Sequence, residues 1–254
     1  MFQINLTPSS GKKLIALAVS HYLAANKLLK SKTIVVIAGT TNGYIAEELL
    51  KACGYSTFEK KYFFRGITLP PNFSQSKEGR LLEEKNFAGD VILRKGKWEK
   101  NKTIFDIIDT LKEGDIILKG ANALDLSKKR AAVLIGHPEG GTIASAIKAV
   151  IGKRVRLIIP IGLEKRIYDD LDSIANMLNS PNAQGPRFFP VCGEVFTELD
   201  AIKTLSGANA KLIAGGGVCG AEGSVWLAIW GTKAQEKKAK KIIDKIINEP
   251  PFNL

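Results

Sequence analysis

Apolar residues in this chain follow two rhythms. Short unbroken runs have the length and β-branched content of strands: TIVVIA (33–38), DIILK (115–119), AAVLIG (131–136), VRLIIPIG (155–162), KLIAG (211–215) and SVWLAIW (224–230). Between them lie segments with apolar positions at helical spacing. In residues 9–30 these are Leu14, Leu17, Val19, Leu23 and Leu28, with Ser9 or Ser10 placed to cap the start and His21 inside the helix. Further helices are predicted at 44–54, 104–112, 142–152, 165–178, 197–207 and 231–249, and a short strand at FFPVCG (188–193).

Apolar runs without polar alternation are what a parallel sheet buried on both faces requires. The rhythm therefore predicts an α/β fold, a Rossmann-like three-layer αβα sandwich around a mostly parallel sheet. Residues from about 55 to 105 interrupt it. There YFFRGITL (62–69) and DVILRKGKW (90–98) read as strands flanking a polar loop that begins at Pro70 and Pro71. This stretch is expected to be a peripheral β-rich insertion in a single domain spanning 1–254, because no repeat or low-complexity linker divides the chain.

Composition narrows the function classes. Apolar residues make up 45% and charged residues 24%, a globular balance that excludes extended disorder. No apolar run nears the roughly 20 residues that cross a bilayer. The opening MFQINLTPSSGKK lacks the basic start and apolar stretch of a leader, so a cytoplasmic location without a membrane partner is expected. Cys53, Cys192 and Cys219 are odd in number and far apart, which suits reduced thiols rather than disulfides or a zinc site. The net charge of +12 would attract polyanions. Much of it sits in the last helix, however, where Lys237, Lys238, Lys240, Lys241 and Lys245 oppose a stripe of Ile242, Ile243, Ile246 and Ile247. Those lysines are expected on a solvated face and no nucleic-acid partner is predicted, while the surplus charge favours anionic metabolites.

Four glycine-bearing loops follow predicted strands, and parallel strands would bring them to one rim, where ligands of open α/β sheets bind. Gly39-Thr40-Thr41-Asn42-Gly43 is the strongest phosphate candidate. Glycine admits an oxyanion closely, the two hydroxyls donate, and the following helix offers unpaired amides and the positive end of its dipole. A tight turn with Gly and Asn at positive φ would use the same residues. The loop is neither a Walker sequence nor GxGxxG. Lys119, at a strand end, holds phosphate or lines the sheet edge; Gly120, Asn122 and Asp125 follow it, Asp125 being a candidate proton carrier. In 136–142, Gly140, Gly141 and Thr142 repeat the phosphate-loop logic, and His137 is either a catalytic imidazole or a turn residue. The last loop carries Gly216, Gly217 and Glu222, the acid flanked by glycines and readable as catalytic or as part of a turn. No metal-ligand cluster or cofactor motif is visible, and none is expected.

The order of these motifs resembles the superfamily that contains ribose-5-phosphate isomerase, glucosamine-6-phosphate deaminase and the coenzyme A transferases. The loop at 39–43 resembles the sugar-phosphate loop of those isomerases. The stretch GDIILKGANALDLSKKRAAVLIGHPEGGTIASAI (114–147) is similar to a segment of the methylthioribose-1-phosphate isomerase and initiation-factor regulatory-subunit branch, which carries a Gly-Ala-Asp motif, an Asn-Gly turn, a Gly-Thr pair and a helix. The similarity covers residues 33–54 and 104–165. It implies a sugar-phosphate site and, in a catalytic member, an acid/base pair that opens the ring and moves a proton between adjacent carbons. Asn122 stands where those isomerases have their proton-shuttling Asp, so Asp125 would have to substitute, with Glu222 or His137 as partner.

The expected function is binding of a phosphorylated small molecule such as a sugar phosphate, with isomerase-like acid/base chemistry. Two alternatives stand beside it. One is coenzyme A transfer or thioester chemistry with Glu222 as nucleophile; the other is a non-catalytic nucleotide or sugar-phosphate sensor, which Asn122 favours. The expected partners are the phosphorylated ligand and, in a homo-oligomer, further copies of the chain.

Overall fold

A computed structural model describes residues 1–65, 87 and 89–252. Strand β1 (Phe2–Leu6) leads into helix α1 (Pro8–Ala25), the short α2 (Leu28–Ser31), β2 (Thr33–Val36) and α3 (Thr40–Ala52). Then come β3 (Val91–Arg94), β4 (Lys97–Glu99), the short α4 (Ile104–Ile107), β5 (Ile116–Leu118), β6 (Ala123–Asp125), β7 (Arg130–Ile135) and α5 (Gly141–Lys153). The rest comprises β8 (Arg156–Pro160), α6 (Leu171–Leu178), β9 (Arg187–Val191), β10 (Glu194–Phe196), α7 (Glu198–Ser206), β11 (Asn209–Gly215), β12 (Val225–Trp230) and α8 (Lys233–Asp244).

The chain is an α/β protein built on a mixed six-stranded sheet of order β10-β8-β5-β2-β3-β4. The first four strands are parallel, with Ile34 opposite Ile116 and Leu118 opposite Ile158; β3 and β4 add antiparallel at the far edge. Alternate side chains of the parallel strands enter two cores. Ile34, Val36, Ile116, Leu118 and Ile158 pack with α1 and α3. Val35, Ile37, Ile117, Leu157 and Ile159 pack with Ile143, Ala146 and Ala149 of α5. Both faces are therefore buried, which is why these strands read as unbroken apolar runs. Each fully buried aliphatic side chain contributes about 1.5–3 kcal/mol.

The expectation of one mostly parallel sheet needs correction. Two further three-stranded sheets, β1-β12-β11 and β6-β7-β9, are antiparallel throughout. In β12 the burial alternates, with Val225, Leu227 and Ile229 inward and Trp226 and Trp230 about two-fifths exposed. The period of two was hidden because the outward positions are Trp and Ala. GANALD, expected as a loop, contains β6, and β1 precedes the predicted first helix. DVILRKGKW does form strands, but as a hairpin that extends the main sheet beside β2. Residues 66–69 of the other expected strand lie outside the described residues. In α8, Ala239 and Ile243 are buried, and so is Ile246 just beyond it, while Lys237, Lys238, Lys240, Lys241 and Lys245 are exposed. Among the described residues no helix is long and apolar enough to cross a membrane.

Candidate functional site

The parallel strands β2, β5, β8 and β10 end on one rim. Because β3 runs the other way, Asp90, just before it, reaches that rim too. From β2 the chain passes to β3 on one side; from β5 it passes to β8 and β10 on the other. Such a reversal, here between β2 and β5, opens the crevice in which ligands of open α/β sheets bind.

Helix α3 starts directly from the end of β2. The Gly39 amide donates to the Phe63 carbonyl (3.1 Å) and the Gly43 amide to the Gly39 carbonyl (2.7 Å), leaving the amides of Thr40, Thr41 and Asn42 as first-turn donors. Asn42 is fully buried, and its Nδ2 donates to the carbonyls of Ile37 (2.7 Å) and Leu118 (2.9 Å), tying β2 to β5. Its amide thus frames the rim. Gly43 is crowded, since a Cβ there would stand 3.2 Å from that of Lys60. Gly39 and Gly120 are different. Neither is in the left-handed region, and among the described residues no atom lies within 4 Å of where a Cβ would stand. The reading of 39–43 as a positive-φ turn is not met, because Gly39 is extended at φ 174°. Thr40 is half-buried; Thr41 is 3% exposed and its Oγ1 has no partner among the described residues.

Charged groups continue along the rim. Buried Asp90 accepts from the Ala38 amide (3.0 Å), the Ile104 amide (2.8 Å) and Arg65 Nη2 (2.9 Å). Burial pushes its carboxyl up, against the guanidinium and the two amides that favour the charged form. Half-buried Lys119 comes next, with no hydrogen bond or ion pair at its ammonium among the described residues. Burial, with the charges of Arg65 and Lys165 and against that of Asp90, lowers its pKa to about 8. Lys165, in the 3-10 turn Leu163–Lys165 after β8, donates to the Ala121 carbonyl at 2.8 Å, and burial lowers its pKa as well.

At the β10 end, buried Glu198 opens α7 and accepts from the Leu163 amide at 3.0 Å. Burial raises its pKa, and the charge of Glu164 adds to the effect. Its Oε1 lies so close to α1 that a Cβ on Gly11 would approach it to 2.6 Å. Lys12, in the first turns of α1, feels both glutamates, yet burial still lowers its pKa. Three lysines are thus held where their charged forms are short of water, a condition an anion relieves.

Glu164 also borders a shallow cleft of about 200 Å³ lined by Arg166, Tyr168, Gly216, Glu222, Gly223 and Ser224. Ser224 is buried with its hydroxyl unpartnered among the described residues, while Glu222 is exposed. The glycine loop carrying Glu222 touches the start of α1, where a Cβ on Gly223 would lie 2.9 Å from Pro8. Gly217 is held by its own turn, since a Cβ there would meet Ala221 at 2.7 Å.

The expectation that all four loops share one rim fails, because β7 pairs antiparallel with β6 and β9 in a separate sheet. The 136–142 loop is a surface turn. Exposed His137 accepts the Glu139 amide through Nδ1 (3.2 Å), and Arg187 Nη2 donates to the Gly136 and His137 carbonyls (2.9 Å each). Gly140 caps α5 at φ 78°, with Gly141 and Thr142 following in the helix. Asn122 pins β6 to β7: its amide donates to the Ala132 carbonyl and its Oδ1 accepts the Leu134 amide at 3.0 Å. Asp125 closes the β6–β7 hairpin by accepting from Ser127 Oγ (2.6 Å) and the Lys128 amide (3.0 Å), bonds that hold its pKa down. Asp125 and His137 flank opposite ends of β7, more than about 15 Å apart at about 3.4 Å per residue. They cannot serve one reacting atom.

The structure therefore brings Gly39–Gly43, Lys119 and Gly120 together and adds Lys12, Arg65, Asp90, Glu164, Lys165 and Glu198, none singled out from the sequence. Lys165 carried a usable signal, since it follows a buried run as Lys119 does. Among the described residues no group of His, Cys, Asp or Glu is arranged to hold a metal ion. A scan against protein-family models, a search of curated proteins and a search of solved structures each find no match for this chain.

Proposed function

We propose that the chain binds a phosphorylated small molecule of the sugar-phosphate class in the crevice between β2 and β5. The observation that carries this reading is the pair Gly39 and Gly120. These neighbouring strand ends are left without side chains although neither backbone conformation nor packing among the described residues demands glycine. A bare backbone beside a helix start is where an oxyanion approaches closely. The amides of Thr40, Thr41 and Asn42 and the unpartnered Thr41 hydroxyl supply donors, and Lys119 supplies charge. Hydrogen bonds to a charged partner contribute roughly 1.5–3 kcal/mol each.

Acid/base chemistry on the bound molecule draws on the same rim. An amine that titrates near 8 exchanges a proton at neutral pH, and Glu164 supplies a carboxylate shared by the rim and the adjoining cleft. The exchangeable amine supports an isomerase-like proton shift. The acyl-transfer alternative draws on Glu222 in that cleft, beside Glu164.

A thermal-shift series separates these readings. Ribose 5-phosphate at ~100 times its dissociation constant should add ~2.7 kcal/mol of stability, and ribose should add none. A shift from coenzyme A thioesters that disappears in Glu222→Gln, with none from any sugar phosphate, would replace the proposal by the acyl-transfer alternative.

A further inference from the structure

Among the described residues the ammonium groups of Lys12 and Lys119 have no bonded partner, but Lys12 has two carboxylates near it and Lys119 has one. Lys165 is bonded to the Ala121 carbonyl, and Lys12 faces Glu164 and Glu198. The Lys119 ammonium has no bonded partner among the described residues, although its backbone amide is fixed to the Ile158 carbonyl at 3.1 Å. The charges facing it are Arg65, Lys165 and Asp90. Asp90 is already held by Arg65 and two backbone amides, so it is poorly placed to neutralise a second cation. Arg65 and Lys165 draw phosphate to this corner of the rim, and in the same place they favour the neutral form of the amine, the form that attacks a carbonyl. With a pKa of about 8, about a tenth of Lys119 is neutral at pH 7, against about one part in 3,000 for an ordinary lysine.

The surroundings leave room for a reacting carbon. Among the described residues the flanks of Gly39 and Gly120 are open, and neighbouring strands lie about 4.8 Å apart. A phosphate ester on the first turn of α3 spans that distance when one or two carbons separate it from a carbonyl.

We infer that Lys119 is a nucleophile that forms an imine with the carbonyl carbon of a phosphorylated aldehyde or ketone, an inference that rests on the phosphate site proposed above. The neutral amine attacks the carbonyl carbon and a C–N bond forms. The attacking nitrogen gives up one proton as the oxygen gains one, which makes a neutral carbinolamine, and a second proton from solvent on that hydroxyl lets the C–O bond break and water leave. The resulting iminium keeps the positive charge at the position Lys119 occupied, so the phosphate still faces a cation. It also acidifies the adjacent C–H bond, the step an isomerase-like proton shift needs.

Borohydride trapping tests this directly. The intact protein is incubated with glycolaldehyde phosphate, reduced with sodium borohydride, digested and mapped by mass spectrometry. Hydride adds to the iminium carbon and leaves a secondary amine heavier than lysine by the aldehyde less one oxygen. Lys119 should be the dominant modified residue at pH 7, labelled on the order of 100-fold faster than exposed lysines such as Lys238. Labelling should drop tenfold or more with unphosphorylated glycolaldehyde, or when inorganic phosphate competes. In Lys119→Met, checked for folding by circular dichroism, the dominant adduct should vanish. Label spread over surface lysines without preference for Lys119 overturns the inference. If glycolaldehyde phosphate stabilises the protein in a thermal shift yet leaves Lys119 unmodified, the imine is wrong and the phosphate site stands. If it neither stabilises nor labels, both fall.

Discussion

Residues 39–43 and 136–142 are near-twins on paper, each a glycine after a buried apolar run with threonine at a helix start. In the fold they share little. The first loop leaves a central parallel strand, lies beside a second strand end at the reversal of the sheet, and has Lys119 next to it. The second leaves an antiparallel strand and is tied down by His137 and Arg187 as an exposed turn. The difference lies in which strand pairs with which. Local sequence writes a loop that could receive an anion, and the strand partners decide whether anything converges on it.

The lysines divide in the same way. Those of α8 stand in water, where a charge costs nothing and commits to nothing. Lys12, Lys119 and Lys165 are pushed off their ordinary values by burial.

The largest expected effect separates the frames of the two loops. Asn42→Ala leaves the Ile37 carbonyl without its side-chain donor and takes one of two donors from the Leu118 carbonyl, which keeps the Ile37 amide at 3.0 Å; it should cost about 2 kcal/mol. His137→Ala, in an exposed turn, should stay within about 0.5 kcal/mol. Urea unfolding of both variants checks this, and equal losses would erase the distinction.

Lys119→Met should weaken ribose 5-phosphate binding by about tenfold or more, read by calorimetry, by removing a charge-assisted contact. It carries a second, pH-dependent signature. The folded-state pKa of Lys119 lies below its ordinary 10.5, so between about 8 and 10.5 the unfolded chain binds the extra proton. The penalty of holding this ammonium in the fold is therefore full below pH 8 and fades as pH rises to 10.5. Lys119→Met should accordingly be the more stable protein without ligand at pH 7, with an advantage that vanishes by about pH 10.5. A constant advantage across that range would mean that Lys119 is not desolvated.

Glycines sharpen the comparison further. Gly120→Ala should leave stability nearly unchanged, since its Cβ meets nothing among the described residues, and should lower ligand affinity severalfold. Gly140→Ala should do the reverse. Its φ of 78° strains any side chain, for a loss of about 1 kcal/mol without an effect on binding. At the small end, Lys238→Glu with Lys241→Glu should not change ligand affinity.

The parallel core of the fold was legible because strands buried on both faces must be apolar throughout, as in 33–38 and 155–162. The two antiparallel sheets were not. β12 hides its alternation behind outward Trp226 and Trp230, and strand partners are set by contacts far apart in the chain. At the site, Gly39–Gly43 and Lys119 could be picked out since each directly follows a central strand. Asn122 and Asp125 were placed by the same logic, but a hairpin takes up both side chains. Glu198, Lys12 and Asp90 carried no local mark, as each gains its environment from other elements of the chain, such as Leu163 for Glu198 and Ala38, Arg65 and Ile104 for Asp90.

The central claim, that the crevice at the first turn of α3 receives phosphate, meets its most direct test in a calorimetric titration of ribose 5-phosphate. Wild type, Thr40→Ala/Thr41→Ala and Thr142→Ala would be compared at pH 7 and pH 9, each shown to be folded. Wild type and Thr142→Ala should bind alike, the double variant at least tenfold more weakly, and wild type should lose affinity between the two pH values as Lys119 gives up its proton. Equal binding by all three proteins, or a loss confined to Thr142→Ala, would contradict the account.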